Sequence, residues 1–315
     1  MKLISIVIPV FNEEDIVQEL IRRLQVSTQN IHYRYEFILI DDGSNDKTLL
    51  FLLEMQRQEN RLKVIKLSRN WGHQNAYNAG IDYASGDAVI FMDGDLEDPP
   101  EMINEMIKKW EEGYQVVYTV KETREESILK KIMFSFFYKL MEKFSEINID
   151  KQAGMFSLID KKVANHMRQC KERNKYYVGL RFFCGFKQIK ISYKRHGRLK
   201  GKPKQTIRKL TTLALNAVFS FSFIPIRTLT YFGVIIMISI LLTSSFIITA
   251  KIANLKFGVI QNLPGWTSMS LLVLLVLSVQ IIFMGVLGEY IARVFDEVRN
   301  RPYYIVEKVY DVEKV

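Results

Sequence analysis

Residues 88–100 read Ala-Val-Ile-Phe-Met-Asp-Gly-Asp-Leu-Glu-Asp-Pro-Pro. The apolar run Ala88–Met92 opens directly into the acidic loop Asp93-Gly94-Asp95-Leu96-Glu97. An unbroken apolar run of this length is what a parallel strand buried on both faces requires. Pro99–Glu112 then has helical spacing, with proline near its first turn, where the missing N–H costs nothing. Strand, acidic loop and helix follow in that order. Open α/β sheets bind ligands outside the carboxyl ends of their strands, which is where these acids fall.

The same alternation runs through the flanking sequence. Leu3–Val10, Glu36–Ile40, Val64–Leu67 and Val116–Thr119 read as strands, and Glu14–Gln25, Thr48–Gln58 and Asn75–Ala84 as helices. Strands alternating with helices predict an α/β fold with a doubly wound, mostly parallel sheet. Ser127–Phe144 is helical in pattern and rich in aromatics and Met. Both a core helix and an amphipathic helix near a membrane fit it.

Several classes drop out. The chain has 315 residues, 48% of them hydrophobic, so wholesale disorder is excluded. Its two cysteines, Cys170 and Cys184, form no CxxC or Cys/His cluster, which excludes a disulfide scaffold or zinc module and fits a reducing compartment. Neither GxGxxG nor a Walker A pattern is present, against a Rossmann oxidoreductase or a P-loop enzyme. The net charge of +10 invites a nucleic-acid reading, but Lys187–Lys209 alone carries ten cations and no acid. The excess is one stripe with sparse aromatics, so no nucleic acid is expected.

Leu229–Ala250 and Ser268–Gly288, 22 and 21 residues, contain no Asp, Glu, Lys, Arg or His. Each matches the ~20 residues that cross a bilayer core. Thr206–Ile224, ahead of the first, mixes Arg208 and Lys209 with Leu, Phe and Ala like an interfacial amphipathic helix. Lys and Arg crowd the outer flanks of the pair, with only Lys251 and Lys256 between, which predicts both termini in the cytoplasm. The expected organisation is a cytosolic domain (1–205), a juxtamembrane helix (206–228), a two-helix transmembrane hairpin (229–293) and a cytosolic tail (294–315).

Two acidic loops carry the chemistry. Asp42, in Asp41–Asp46, suits a nucleotide base or ribose, or an Asx turn capping the next helix. Asp93, Asp95 and Glu97 alternate, so they can converge on one hard cation that neutralises a diphosphate leaving group. A solvated acidic loop is the alternative.

These residues bear a resemblance. Val7–Glu14, Asp41-Asp42-Gly43-Ser44 and Asp93-Gly94-Asp95 resemble the GT-A glycosyltransferases of family 2. Leu67–Gln74 and Asp95–Glu101 narrow it to the polyprenyl-phosphate glycosyltransferases, which include dolichol-phosphate mannose synthases. Gly288-Glu289-Tyr290-Ile291 and Arg301-Pro302-Tyr303-Tyr304 are similar to the bacterial GtrB branch. The resemblance implies transfer of a sugar, UDP-linked, to undecaprenyl phosphate at the cytoplasmic face of the inner membrane. GDP-mannose is the alternative donor. It implies that Pro9, Glu13, Asp42 and Asp93 bind the nucleotide-sugar. Asp93 and Asp95 are its catalytic residues, and Asp93, Asp95 and Glu97 would hold Mg²⁺ or Mn²⁺. Arg195, Arg198 and Lys204, with Lys121, Arg124, Lys131 and Ser135, become phosphate contacts, and relatives can be tetramers.

There are departures. Relatives often carry Gln at Glu97 and Ser at Pro203. They commonly carry Gly-Asp-Phe-Arg where this chain has Gly154-Met155-Phe156-Ser157, which opens the alternative of a catalytically weakened membrane scaffold. Chemistry favours activity. A phosphate monoester has a second pKa of about 6, so a lipid phosphate is a nucleophile at neutral pH without a protein base. A processive polysaccharide synthase would carry Gln-x-x-Arg-Trp and more spans, and neither is present. His73 reads as loop packing or a donor contact, with a general base as the alternative, and Trp71 and Tyr77 as packing rather than sugar platforms.

Overall fold

The computed structural model describes residues 1–29, 32–121, 150, 153–170, 172, 175–193, 231–249 with interruptions, and 265–311. Its strands are β1 (Lys2–Val10), β2 (Tyr33–Asp41), β3 (Leu62–Leu67), β4 (Ala88–Phe91), β5 (Val116–Lys121), β6 (Ala153–Asp160), β7 (Gln188–Tyr193) and β8 (Val306–Tyr310). Its helices are α1 (Val17–Ser27), α2 (Thr48–Gln56), α3 (His73–Tyr83), α4 (Ile103–Glu111), α5 (Lys161–Gln169), α6 (Tyr177–Phe183) and α7 (Gly265–Val298). A 3₁₀ turn, Pro100–Met102, takes the prolines and leads into α4.

The strands form one sheet in the order β7-β5-β6-β4-β1-β2-β3-β8. β1 lies parallel to β2 and β4, and β2 to β3, as the alternating pattern predicts. The sheet is nevertheless mixed. β6 runs antiparallel to β4 and β5, and β8 antiparallel to β3. β1 shows why its sequence is an unbroken apolar run. Ile4, Ile6, Ile8 and Val10 enter one core, with Leu20 and Ile21 of α1 and Met106 and Ile107 of α4. Val7, between them, enters the core on the other face with Ala76 and Tyr77 of α3 and Val163 of α5. Successive side chains point to opposite faces, so two buried faces require apolar residues at both parities.

The chain divides into two compact units, Met1–Leu213 with Arg301–Val315, and Ala214–Asn300. β8 therefore belongs to the sheet of the first unit. Glu307 and Lys308 make it a charged edge strand. Ion pairs Lys63–Asp311 at 3.0 Å and Lys66–Glu307 at 2.7 Å hold it to β3. Nearby, the Tyr304 hydroxyl donates to Asp82 at 2.8 Å. In the second unit, α7 is 34 residues long, ~51 Å at 1.5 Å per residue. Among the described residues one helical stretch, Leu275–Val298, is long and apolar enough to cross a membrane. It runs C-terminal of the expected Ser268–Gly288. Of the other expected span, Leu229–Ala250, the described residues between 231 and 249 are helical. The expected helix Ser127–Phe144 and segment Thr206–Ile224 lie outside the described residues.

Candidate active site

The carboxyl ends of β1, β2 and β4 are laced together by their loops. The Asn12 N–H donates to Ser44 Oγ at 3.0 Å, and the Asn45 N–H returns to Asn12 Oδ1 at 2.9 Å. The Glu13 N–H donates to Thr48 Oγ1 at 2.8 Å. Pro9 is buried in β1 opposite Ile40, and Glu13 is half-buried just beyond the strand. Gly43 has φ +71°, and a Cβ there would stand 2.5 Å from the Arg69 carbonyl carbon. Only glycine allows the β2 loop to pass so close to the loop after β3.

Asp42 has a task that its sequence position does not advertise. It is 3% exposed, and its carboxylate accepts the Trp71 N–H at 2.7 Å and the Gly72 N–H at 3.0 Å. It thus pins the turn that starts α3. The Asx turn in this loop belongs to Asp41, whose Oδ1 accepts the Ser44 N–H at 3.0 Å. Burial pushes the Asp42 carboxyl up to about 6, the two N–H donors offset this only in part, and the charge of Asp41 adds to it.

The acidic loop leaves β4 against β1. A Cβ on Gly94 would lie 2.8 Å from both the Pro9 carbonyl oxygen and Val10 Cγ1. Asp93 Oδ1 accepts the Tyr77 hydroxyl at 2.7 Å, and His73 Nε2 stands 2.9 Å from the same oxygen. Asp95 Oδ1 accepts the Glu97 N–H at 3.1 Å across Leu96, a buried residue with φ +59°. A bulky residue in the left-handed region is strained, and such strain concentrates at functional loops. Asp93 and Asp95 are half-buried, whereas Glu97 is buried. Asp98 accepts a short hydrogen bond from Tyr193 of β7. Partial burial works against a charge on His73, but Asp93, with Asp95 and Asp42, outweighs it and raises the imidazole above its usual value.

Pro9, at the end of β1, and Glu13, Asp42, Asp93 and Asp95, on the loops that follow, thus lie at neighbouring strand ends. Among the described residues, no group of three His, Cys, Asp or Glu side chains is assembled to hold a metal. Two carboxylates still fit a hard cation. Mg²⁺ is commonly bound by one or two carboxylates plus substrate phosphates and waters. Lys121 ends β5 opposite Tyr193. Arg124, Lys131, Ser135, Arg195, Arg198 and Lys204 lie outside the described residues.

Two features escape sequence reasoning. Tyr77 reads as core, and is fully buried, yet its hydroxyl meets Asp93. Arg181 of α6 is 1% exposed, and its guanidinium donates to the Gly154 carbonyl at 2.7 Å, beside Met155. Burial lowers it to about 10. The signal for Arg181 is a lone cation in the otherwise uncharged Tyr177–Phe183.

Residues 5–168 match the model of the family described as Glycosyl transferase family 2. The chain is 35% identical to the SfII prophage-derived bactoprenol glucosyl transferase of Shigella flexneri, over 97% of each chain. It is 32% identical to the undecaprenyl-phosphate 4-deoxy-4-formamido-L-arabinose transferase of Photorhabdus laumondii, over 98% of this chain and 94% of that one. In fold it is similar to glucosyl-3-phosphoglycerate synthase from Mycobacterium tuberculosis, solved with Mn²⁺, uridine-diphosphate and phosphoglyceric acid. There the TM-score is 0.50 at 15% identity, over 69% of this chain and 78% of that one.

Proposed function

The chain belongs to glycosyl transferase family 2, and on that premise we propose that it transfers a hexose from a UDP-sugar to undecaprenyl phosphate. The reading rests on relatives of nearly full length whose names specify bactoprenol and undecaprenyl phosphate as their lipids. The observation that carries it is the gathering of Asp42, Asp93 and Asp95 at the carboxyl ends of β2 and β4, with Pro9 and Glu13 beside them. Pro9, Glu13 and Asp42 take the nucleotide side of the donor, and Asp93 and Asp95 face its diphosphate.

A lipid phosphate oxygen attacks the anomeric carbon from the side opposite the diphosphate. The bond from that carbon to the diphosphate oxygen breaks as the bond to the lipid phosphate forms. An α-linked donor gives a β-linked lipid sugar, and UDP leaves with the electron pair. No proton has to be removed from a largely dianionic nucleophile, so an acidic side chain at Met155 is dispensable. The protein must align the phosphate and stabilise the leaving group. When bound, Mg²⁺ or Mn²⁺ supplies charge neutralisation at the diphosphate, and Asp93 and Asp95 are the residues to hold it. Glu97 is the third candidate, and Lys121, Arg124, Lys131, Ser135, Arg195, Arg198 and Lys204 are proposed to grip phosphates by charge-assisted bonds.

The same reading puts the chain in the inner membrane as a two-helix hairpin, with residues 1–205 and the C-terminal segment in the cytoplasm. The exposed apolar surface of α7 supports it, as does the Lys and Arg bias around the two apolar segments. The test is a donor screen with the purified full chain, undecaprenyl phosphate and Mn²⁺, read by mass analysis of the lipid. A lipid gaining one hexose phosphate linkage from one UDP-hexose is expected. Turnover with GDP-mannose alone would replace the donor, and no transfer from any nucleotide-sugar would overturn the reading.

A further inference from the structure

We infer that His73 and Tyr77 are positioning residues that set the orientation of the Asp93 carboxylate toward the donor diphosphate and its cation. This rests on the assignment of Asp93 above and adds the device that aims it.

His73 and Tyr77 are four residues apart on α3, so they share one face of the helix. Both meet the same atom, Asp93 Oδ1: the Tyr77 hydroxyl donates at 2.7 Å and His73 Nε2 stands at 2.9 Å. Two groups converging on one oxygen fix the rotation of the carboxylate, and so the direction in which Oδ2 is presented.

The groups themselves are held. The Tyr77 ring is 0% exposed and packs edge-on to Phe91 at 5.4 Å and tilted to Tyr177 at 6.1 Å. The His73 ring lies edge-on to Tyr77 at 4.8 Å. The start of α3 is tied to the end of β2 through the Asp42 bonds to Trp71 and Gly72. Residues that orient metal-ligating groups in this way typically carry a ~10–100-fold effect on metal affinity when removed.

The experiment measures Mn²⁺ affinity by electron paramagnetic resonance on the full chain with UDP present, alongside steady-state transfer. Tyr77→Phe keeps the ring and removes only the hydroxyl. His73→Ala removes a half-exposed side chain, so it folds even if Tyr77→Phe does not, and His73→Gln restores an N–H donor. We expect Tyr77→Phe and His73→Ala each to weaken Mn²⁺ binding about 10-fold or more. The turnover number should fall and the lipid-acceptor KM stay unchanged, while His73→Gln recovers most of the loss. Unchanged Mn²⁺ affinity in Tyr77→Phe or in His73→Ala, with Asp93→Asn losing it, overturns the positioning role. Unchanged affinity in Asp93→Asn overturns instead the assignment of Asp93 on which the inference rests.

Discussion

Gly94→Ala should separate the geometry of the acidic loop from the stability of the sheet. The added Cβ would lie 2.8 Å from the Pro9 carbonyl oxygen and 2.8 Å from Val10 Cγ1. Ordinary contact for such atoms begins near 3.4 Å, so about 0.6 Å must be found. Pro9 and Val10 are held in place by their pairing to Ile40 and Asp41 of β2, and the Val10 carbonyl accepts the Asp42 N–H at 3.0 Å. The loop between Asp93 and Asp95 must move instead. Overpacking of this kind costs about 1–3 kcal/mol. For a unit of this size each kcal/mol lowers Tm by about 2–4 °C. A misplacement approaching 1 Å at reacting groups can cost on the order of 100-fold in rate. The expected result is a Tm lower by roughly 2–12 °C and a turnover number lower by about 10- to 100-fold. Gly113→Ala is the control. Gly113, in the turn before β5, has φ +91°, and a Cβ added there would meet nothing within 4 Å, so substitution strains the backbone away from the site. It should lower Tm without lowering turnover. Melting curves and a radiolabelled transfer assay on the two variants decide the matter. Wild-type turnover in Gly94→Ala would refute the idea that the packing of this loop on β1 sets the catalytic geometry.

Three other outcomes follow from the same contacts. Glu59 is 8% exposed, pairs with Arg61 at 2.8 Å, and is held down to about 2 by that guanidinium. Its stabilisation is complete above the ordinary carboxyl range and lost as pH falls from about 4.5 toward 2, at most about 3 kcal/mol. Glu59→Gln should therefore lower the urea midpoint at pH 7 and leave it unchanged near pH 2. The Asp42 carboxyl is raised to about 6, so the folded chain holds a proton that the unfolded chain has released. Stability should fall as pH rises from about 4 to 6, and Asp42→Asn should flatten that part of the urea-midpoint profile. Tyr304→Phe removes a 2.8 Å bond to Asp82 and should cost about 1.5 kcal/mol in chemical denaturation.

The parts of this molecule legible in its sequence are those where local pattern and tertiary role coincide. β1, β2 and β4 are apolar at both parities because both faces are buried, so their runs announce central strands. Asp93 and Asp95 follow such a run, and their place at a strand end can be read without coordinates. β8 cannot be read so. It is a short, charged strand whose partner, β3, lies more than two hundred residues earlier, and its pairing depends on how the chain returns after α7. Asp42 is legible as a loop carboxylate at the end of β2, but its bonds to Trp71 and Gly72 cross 29 and 30 positions of sequence. Tyr77 hides for a simpler reason. Its ring satisfies the helical core pattern completely, and only the tip of the side chain reveals the contact with Asp93. Arg181 breaks an aromatic run, yet nothing local shows that its acceptor is the Gly154 carbonyl.

The proposed assignment of Asp93 and Asp95 to the donor diphosphate makes hexose transfer to undecaprenyl phosphate depend on these two side chains. Its most direct test is the rate of hexose transfer to undecaprenyl phosphate by membrane-inserted wild-type chain and by Asp95→Ala, with melting curves to verify folding. The wild-type chain should form the lipid-linked hexose, while Asp95→Ala melts normally and forms none. Wild-type turnover in Asp95→Ala would exclude Asp95 from the reaction.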